Sequence, residues 1–102
     1  MDFRLEDRRG RLVATGDMTI YQAPSLKDAL LLDWSPANGK VSLELAKVSE
    51  LDTCGLQFIL MLRRRARADG LDLVIVKPSA AVREVLDLCG LHDLYRAERK
   101  AA

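Results

Sequence analysis

Histidine, cysteine and aromatic residues are scarce in this sequence: one His, two Cys, one Trp, two Tyr and two Phe among 102 residues. The two cysteines, Cys54 and Cys89, lie far apart with no CxxC or Cys/His spacing, which excludes a disulfide framework and a zinc site. A histidine-based catalytic triad would have to be built on His92 alone, and no metal-ligand or Gly-rich phosphate-loop motif accompanies it. No apolar run approaches the roughly 20 residues of a membrane span, and Met1–Asp7 is too polar for a signal peptide. Charge is balanced, with 16 Lys+Arg against 15 Asp+Glu, so nothing points to nucleic acid. These absences predict a cytoplasmic protein that is not an enzyme, inserts in no membrane, and carries no cofactor or metal.

What is present is ordinary globular material, 49 % hydrophobic and 30 % charged, in a length that suits one domain. Phe3 and Leu5 alternate with Arg4 and Glu6, and the alternation restarts at Leu12-Val13-Ala14 after Arg8-Arg9-Gly10. Two strands around a tight turn fit, with Gly10 supplying the positive φ. Pro24-Ser25 opens a helical stretch whose apolar face is Ala23, Leu26, Ala29, Leu30, Leu31 and Leu32, with Trp34 capping the core and Pro36 and Asn38-Gly39 ending it.

Val41, Leu43 and Leu45 alternate with Ser42, Glu44 and Ala46 as a strand with one buried face. A helix is expected from about Gly55 to Ala68, closed by Asp69-Gly70. Leu71–Val76 is nearly continuous in apolar residues and predicts a central strand covered on both sides. Ser79 then suits the N-cap of a helix Ala80–Cys89, stopped by Gly90, with Cys89 expected in the core. Leu91–Tyr95 is expected as a short strand or docking segment. The order β, β, α, β, α, β, α implies right-handed crossovers and a mixed, mostly parallel sheet in a single α/β domain over residues 1–102, with its core at about 3–95 and a frayed tail at 96–102.

The turn Asp52-Thr53-Cys54-Gly55 is the most informative local feature, since it sets a hydroxyl where a helix presents its unpaired N–H groups. Two readings coexist: Asp52 or Thr53 is an N-cap worth about 1 kcal/mol, or Thr53 is a phosphoacceptor whose phosphate the helix N-terminus would accommodate. On a wheel of about 100° per residue, Gly55, Ile59, Leu62 and Ala66 form the core arc, flanked by Leu56 and Phe58. Gln57, Leu60, Met61, Arg64 and Ala68 fall opposite. Leu60 and Met61 thus either pack under loops or form an apolar patch beside Thr53. Arg63, Arg64, Arg65 and Arg67 point in different directions and match the helix C-terminal dipole rather than making one patch. Cys54 reads as a small residue in a tight turn or as a thiolate activated by the helix N-terminus. His92 reads as a surface or capping histidine.

Val48-Ser49-Glu50-Leu51-Asp52-Thr53-Cys54-Gly55-Leu56 resembles the signature of STAS domains, the fold of bacterial anti-sigma factor antagonists, in which a strand ends in V-x-x-hydrophobic-D-[S/T]-[S/T/A]-G-L. Leu12–Asp17, Leu73–Ser79 and Val82–Leu91 are similar to three further family segments, so the resemblance runs from about Phe3 to Tyr95. It implies that Thr53 is phosphorylated by a partner kinase/anti-sigma factor of the histidine-kinase-like ATPase type, which supplies nucleotide and Mg²⁺. The unmodified form binds that kinase, and phosphorylation breaks the complex. The partner-facing residues are then Asp17, Asp52, Cys54, Gly55 and Ser79, from the turn and the loops beside it, joined by Gln57, Leu60 and Met61 from the wheel's outer face. Two positions depart from the pattern: the acceptor is Thr rather than the commoner Ser, and Cys54 replaces a second hydroxyl or Ala. The Asp-Thr form is also similar to STAS proteins of chemosensory clusters and to STAS subunits of lipid-transport ABC systems. That implies an alternative role as an accessory subunit with Thr53 as a contact.

Overall fold

In the computed structural model, which describes residues 2–34 and 39–95, the opening alternation forms a hairpin of β1 (Arg4–Arg8) and β2 (Arg11–Thr15). Arg8 pairs with Arg11, and Arg9 and Gly10 both take positive φ (56° and 89°), as a two-residue turn with the right twist demands. A single 3-10 turn, Ile20–Gln22, leads into α1 (Ala23–Ala29). Then come β3 (Lys40–Lys47), α2 (Thr53–Ala68), β4 (Asp72–Val76) and α3 (Ala80–Leu88). The sheet order is β1-β2-β3-β4, antiparallel only between β1 and β2 and parallel elsewhere. The expected single α/β domain with a mixed, mostly parallel sheet is therefore the observed architecture.

The core lies on one face of the sheet. Leu12 and Ala14 from β2, Val41, Leu43 and Leu45 from β3, and Leu73 and Ile75 from β4 meet Phe58, Ile59, Leu62 and Ala66 of α2 and Val82 and Leu86 of α3. The α2 residues are those the wheel placed inward. Phe3 meets Phe58 edge-on at 5.3 Å between ring centroids, tying the first residues to α2.

Several expectations require correction. β4 is buried on both faces, but it is an edge strand; β2 and β3 are the interior ones. Its apolar continuity reflects a buried second face rather than a central position. Val74 and Val76 stand in register with Ser42 and Glu44, and Arg11 and Lys77 reach across that face to the Glu44 carboxylate at 3.2 and 3.9 Å. Leu31 is exposed rather than part of the apolar face, because α1 ends at Ala29 and the chain turns away. Cys89 is exposed, not core, because α3 stops at Leu88 and buries only Val82 and Leu86. Of the two readings of Leu91–Tyr95, the docking segment is the one observed: it packs as a helical turn with Leu94 and Tyr95 buried. Pro36, Asn38 and the tail 96–102 lie outside the described residues.

Arg65 ties α2 to the end of α1. Its guanidinium donates to the carbonyls of Leu30 (3.0 Å) and Leu32 and sits 4.0 Å from the Trp34 ring centroid. The cation thus satisfies carbonyls left open where α1 ends. Arg65→Ala is expected to cost about 2 kcal/mol from two charge-assisted bonds and the ring contact. Arg65→Lys should recover less than half of that, because an ammonium does not stack on the Trp34 ring as the planar guanidinium does. Urea unfolding of the three proteins checks this; an unchanged midpoint in Arg65→Ala would show the latch to be idle.

Candidate functional site

The parallel strands β2, β3 and β4 all point their C-terminal ends the same way, so the segments after them meet at one end of the sheet. There Met18 and Leu51 form an isolated parallel bridge, with Met18 N–H donating to Glu50 O (2.9 Å) and Asp52 N–H to Met18 O (3.2 Å). This brings the loop after β2 against the entrance of α2.

Asp52 is the hub. It is the N-cap of α2, and its Oδ1 accepts from Cys54 N–H (2.9 Å) and Gly55 N–H (3.2 Å). Its Oδ2 accepts from Ile20 N–H (2.8 Å), at the start of the 3-10 turn. One carboxylate thereby holds two segments 32 residues apart in sequence. Of the two residues proposed as cap, Asp52 fills the role, and the helix starts at Thr53 rather than at Gly55.

With capping assigned to Asp52, Thr53 is left exposed in the first turn of α2, and its hydroxyl makes no hydrogen bond with the described residues. Its two neighbours in sequence line different grooves. Asp52 belongs to an open groove of about 530 Å³ with Thr19, Tyr21, Glu50, Leu51, Ala81, Glu84 and Val85. Cys54 belongs to an almost wholly apolar groove of about 300 Å³ between α1 and α2, with Leu26, Leu30, Gln57, Phe58 and Met61. Thr53 lines neither and stands between them.

Gln57 and Met61, with Cys54, thus form the rim of the apolar groove, and Met61 is 48 % exposed. Leu60 is half-buried and does not line that groove, being about 100° round the helix from Met61. Gly55 is buried rather than presented to solvent, pressed against the Met18 backbone and the Leu51 side chain, so the close approach it permits is internal. Asp17 Oδ1 accepts from Ser49 Oγ (2.7 Å), fastening the ends of β2 and β3 together. Ser79 caps α3 by accepting from Val82 N–H (3.2 Å), and with Ser49 it lines a separate shallow groove. His92 is exposed. Among the described residues no group of His, Cys, Asp or Glu is placed to hold a metal ion. Among them, too, no helix is long and apolar enough to cross a membrane.

The 3-10 turn and its exposed Ile20 (61 %) and Tyr21 (89 %) were not foreseen from the sequence. A signal was available: Thr19-x-x-Gln22 fits the capping box, and the structure forms it in both directions. Glu50 and Glu84, which face the same groove from different elements, carry no sequence signal linking them.

The site is thus an exposed hydroxyl at a capped helix start, with open grooves on either side. Residues 1–96 match the family model described as "Mlab, STAS domain", and the chain belongs to the STAS domain family. The anti-sigma factor antagonist SpoIIAA in its unphosphorylated form is similar in structure, with a TM-score of 0.66, 21 % identity, and 91 % of this chain and 84 % of that one covered. The Bacillus cell fate determinant SpoIIAA in its phosphorylated form gives a TM-score of 0.59 at 18 % identity, covering 98 % and 99 % of the two chains. At these identities the likeness is one of fold. A probable sulfate transporter 3.4 of Arabidopsis thaliana is 36 % identical over 61 residues, 54 % of this chain. The chain spans 9 % of that relative's length.

Proposed function

We propose that this protein is a non-enzymatic partner-switching regulator of the anti-sigma factor antagonist kind, gated by phosphorylation at Thr53. The observation that carries the reading is the exposed Thr53 hydroxyl, unengaged by the described residues, at the start of a helix already capped by Asp52. A Ser/Thr kinase of the histidine-kinase-like ATPase type is the partner. Thr53 Oγ takes the γ-phosphoryl group of ATP, its proton passes to the kinase, and ADP leaves. The kinase brings the nucleotide and Mg²⁺, and this chain contributes the acceptor and the docking surface.

Cys54, Gln57 and Met61 offer the contact at the apolar groove and Leu60 flanks it, while Asp17 fastens the ends of β2 and β3 and Ser79 caps α3 at the same end of the sheet. A phosphate of about −1.5 to −2 charges on Thr53 stands between the two grooves and separates the docked surfaces. It lies where helix N–H groups and dipole tolerate it, so the domain stays folded. The setting is the cytoplasm.

Thr53→Ala is expected to change folding stability by less than about 0.5 kcal/mol, since no hydrogen bond is lost. In affinity capture from the native cells, wild type and Thr53→Ala should recover the same partner, and Thr53→Asp at least about tenfold less. Equal recovery by all three proteins would overturn the switch.

That outcome would favour a second reading, a constitutive accessory subunit of a transport ATPase or a chemosensory complex with Thr53 as a contact. The family description and the transporter relative support it.

A further inference from the structure

The groove beside Asp52 has a chemistry that selects its occupant. Leu51, Ala81 and Val85 give it an apolar lining, and three carboxylates, Glu50, Asp52 and Glu84, line it with no lysine or arginine among the lining residues. Glu50 and Glu84 are exposed and form no ion pair among the described residues. The whole chain is near neutral at +1, so this concentration of negative charge is local. Tyr21 stands on the rim with its side chain 89 % exposed.

We infer that this groove receives an arginine side chain from the protein partner. The inference rests on the reading of this end of the sheet as a docking face and names the chemistry that docks there. An arginine's aliphatic stem would lie on Leu51, Ala81 and Val85 while its guanidinium reaches the carboxylates. The planar fork matches carboxylate oxygens better than a lysine ammonium does, and it stacks on an aromatic ring. The same domain already uses that contact twice, with Arg65 over Trp34 at 4.0 Å and Arg83 over Tyr95 at 5.6 Å. Asp52 contributes charge to the groove while its oxygens hold backbone N–H groups, so Glu50 and Glu84 are the carboxylates free to turn toward a guest.

The test is an amide-resolved NMR titration of the unphosphorylated protein with the blocked peptide Ala-Leu-Arg-Ala-Leu and its Lys and Glu counterparts. The Arg peptide should shift the signals of Tyr21, Glu50, Leu51 and Glu84, more strongly than the Lys peptide, while the Glu peptide leaves them in place. The double variant Glu50→Gln/Glu84→Gln, both at exposed positions, should bind the Arg peptide at least about tenfold more weakly. The inference is overturned by shifts that scatter over the surface, by equal binding of the Arg and Glu peptides, or by an undiminished double variant. It is also overturned if the same signals move on simple dilution, which would assign the groove to a second copy of this chain. No step depends on Thr53 modification. Failure here with successful partner capture would remove the arginine site and leave the switch standing, and the converse result would do the reverse.

Discussion

Replacing Gly55 with alanine is expected to destabilise the domain by about 2–3 kcal/mol net, despite alanine's advantage of about 1 kcal/mol in a helix. A Cβ at this position would lie far inside van der Waals contact of Met18 O, 2.5 Å from Leu51 Cδ1 and 2.8 Å from Met18 Cβ. Leu51 could yield, but the Met18 carbonyl is backbone. It also accepts the Asp52 N–H bond and belongs to the Met18–Leu51 bridge. The strain therefore falls on the contact that joins the loop after β2 to the start of α2. Urea unfolding followed by circular dichroism should show a lower midpoint with an unchanged slope. A variant as stable as wild type would mean that α2 can slide outward, and the close approach would lose its significance.

Removing the Asp52 carboxylate should have an effect of similar size by a different route. Asp52→Ala deprives Cys54, Gly55 and Ile20 of the acceptor for their N–H groups, at an expected cost of about 3 kcal/mol. Asp52→Asn keeps one carbonyl oxygen, still serves as a cap, and should cost about 1 kcal/mol. The two variants also separate the two jobs. Hydrogen exchange at Ile20 should accelerate in both, because the amide's single oxygen cannot face both directions. Exchange at Gly55 should accelerate mainly in Asp52→Ala. If Thr53→Ala proved the more damaging substitution, the assignment of Asp52 as the cap would be wrong.

Much of this architecture could be read from local chemistry. Gly10 between two alternating runs announced the hairpin because glycine takes positive φ without a Cβ clash, whereas the positive φ of Arg9 carried no signal; the α2 wheel selected its buried arc correctly because a 16-residue helix offers enough turns to define a face. The limits were physical too. Apolar continuity in β4 reports burial on two faces, which an edge strand can also have: Val74 and Val76 are buried although β4 pairs with one neighbour only. Cys89 and Leu31 look like core by spacing, yet each follows the point where its helix ends, and periodicity does not mark that point.

At the site, the Asp52-Thr53-Cys54-Gly55 turn stood out from its residues alone. Its division of labour, with Asp52 capping and Thr53 left exposed, depends on Ile20 arriving from a distant loop. The acidic groove was illegible because Tyr21, Glu50 and Glu84 come from three separate parts of the chain. Gly55 shows the converse case. The sequence motif marks it as part of the docking turn, and the packing shows that its missing side chain serves the interior.

A reversible phosphate on Thr53 is read out by intact-mass analysis with site mapping on protein isolated from its native cells, with phosphatases inhibited and not inhibited. A species heavier by one phosphoryl group, mapped to Thr53, enriched under inhibition and absent from Thr53→Ala, is expected. Protein that stays unmodified at Thr53 across growth conditions, while co-purifying in a fixed ratio with a partner, would contradict it.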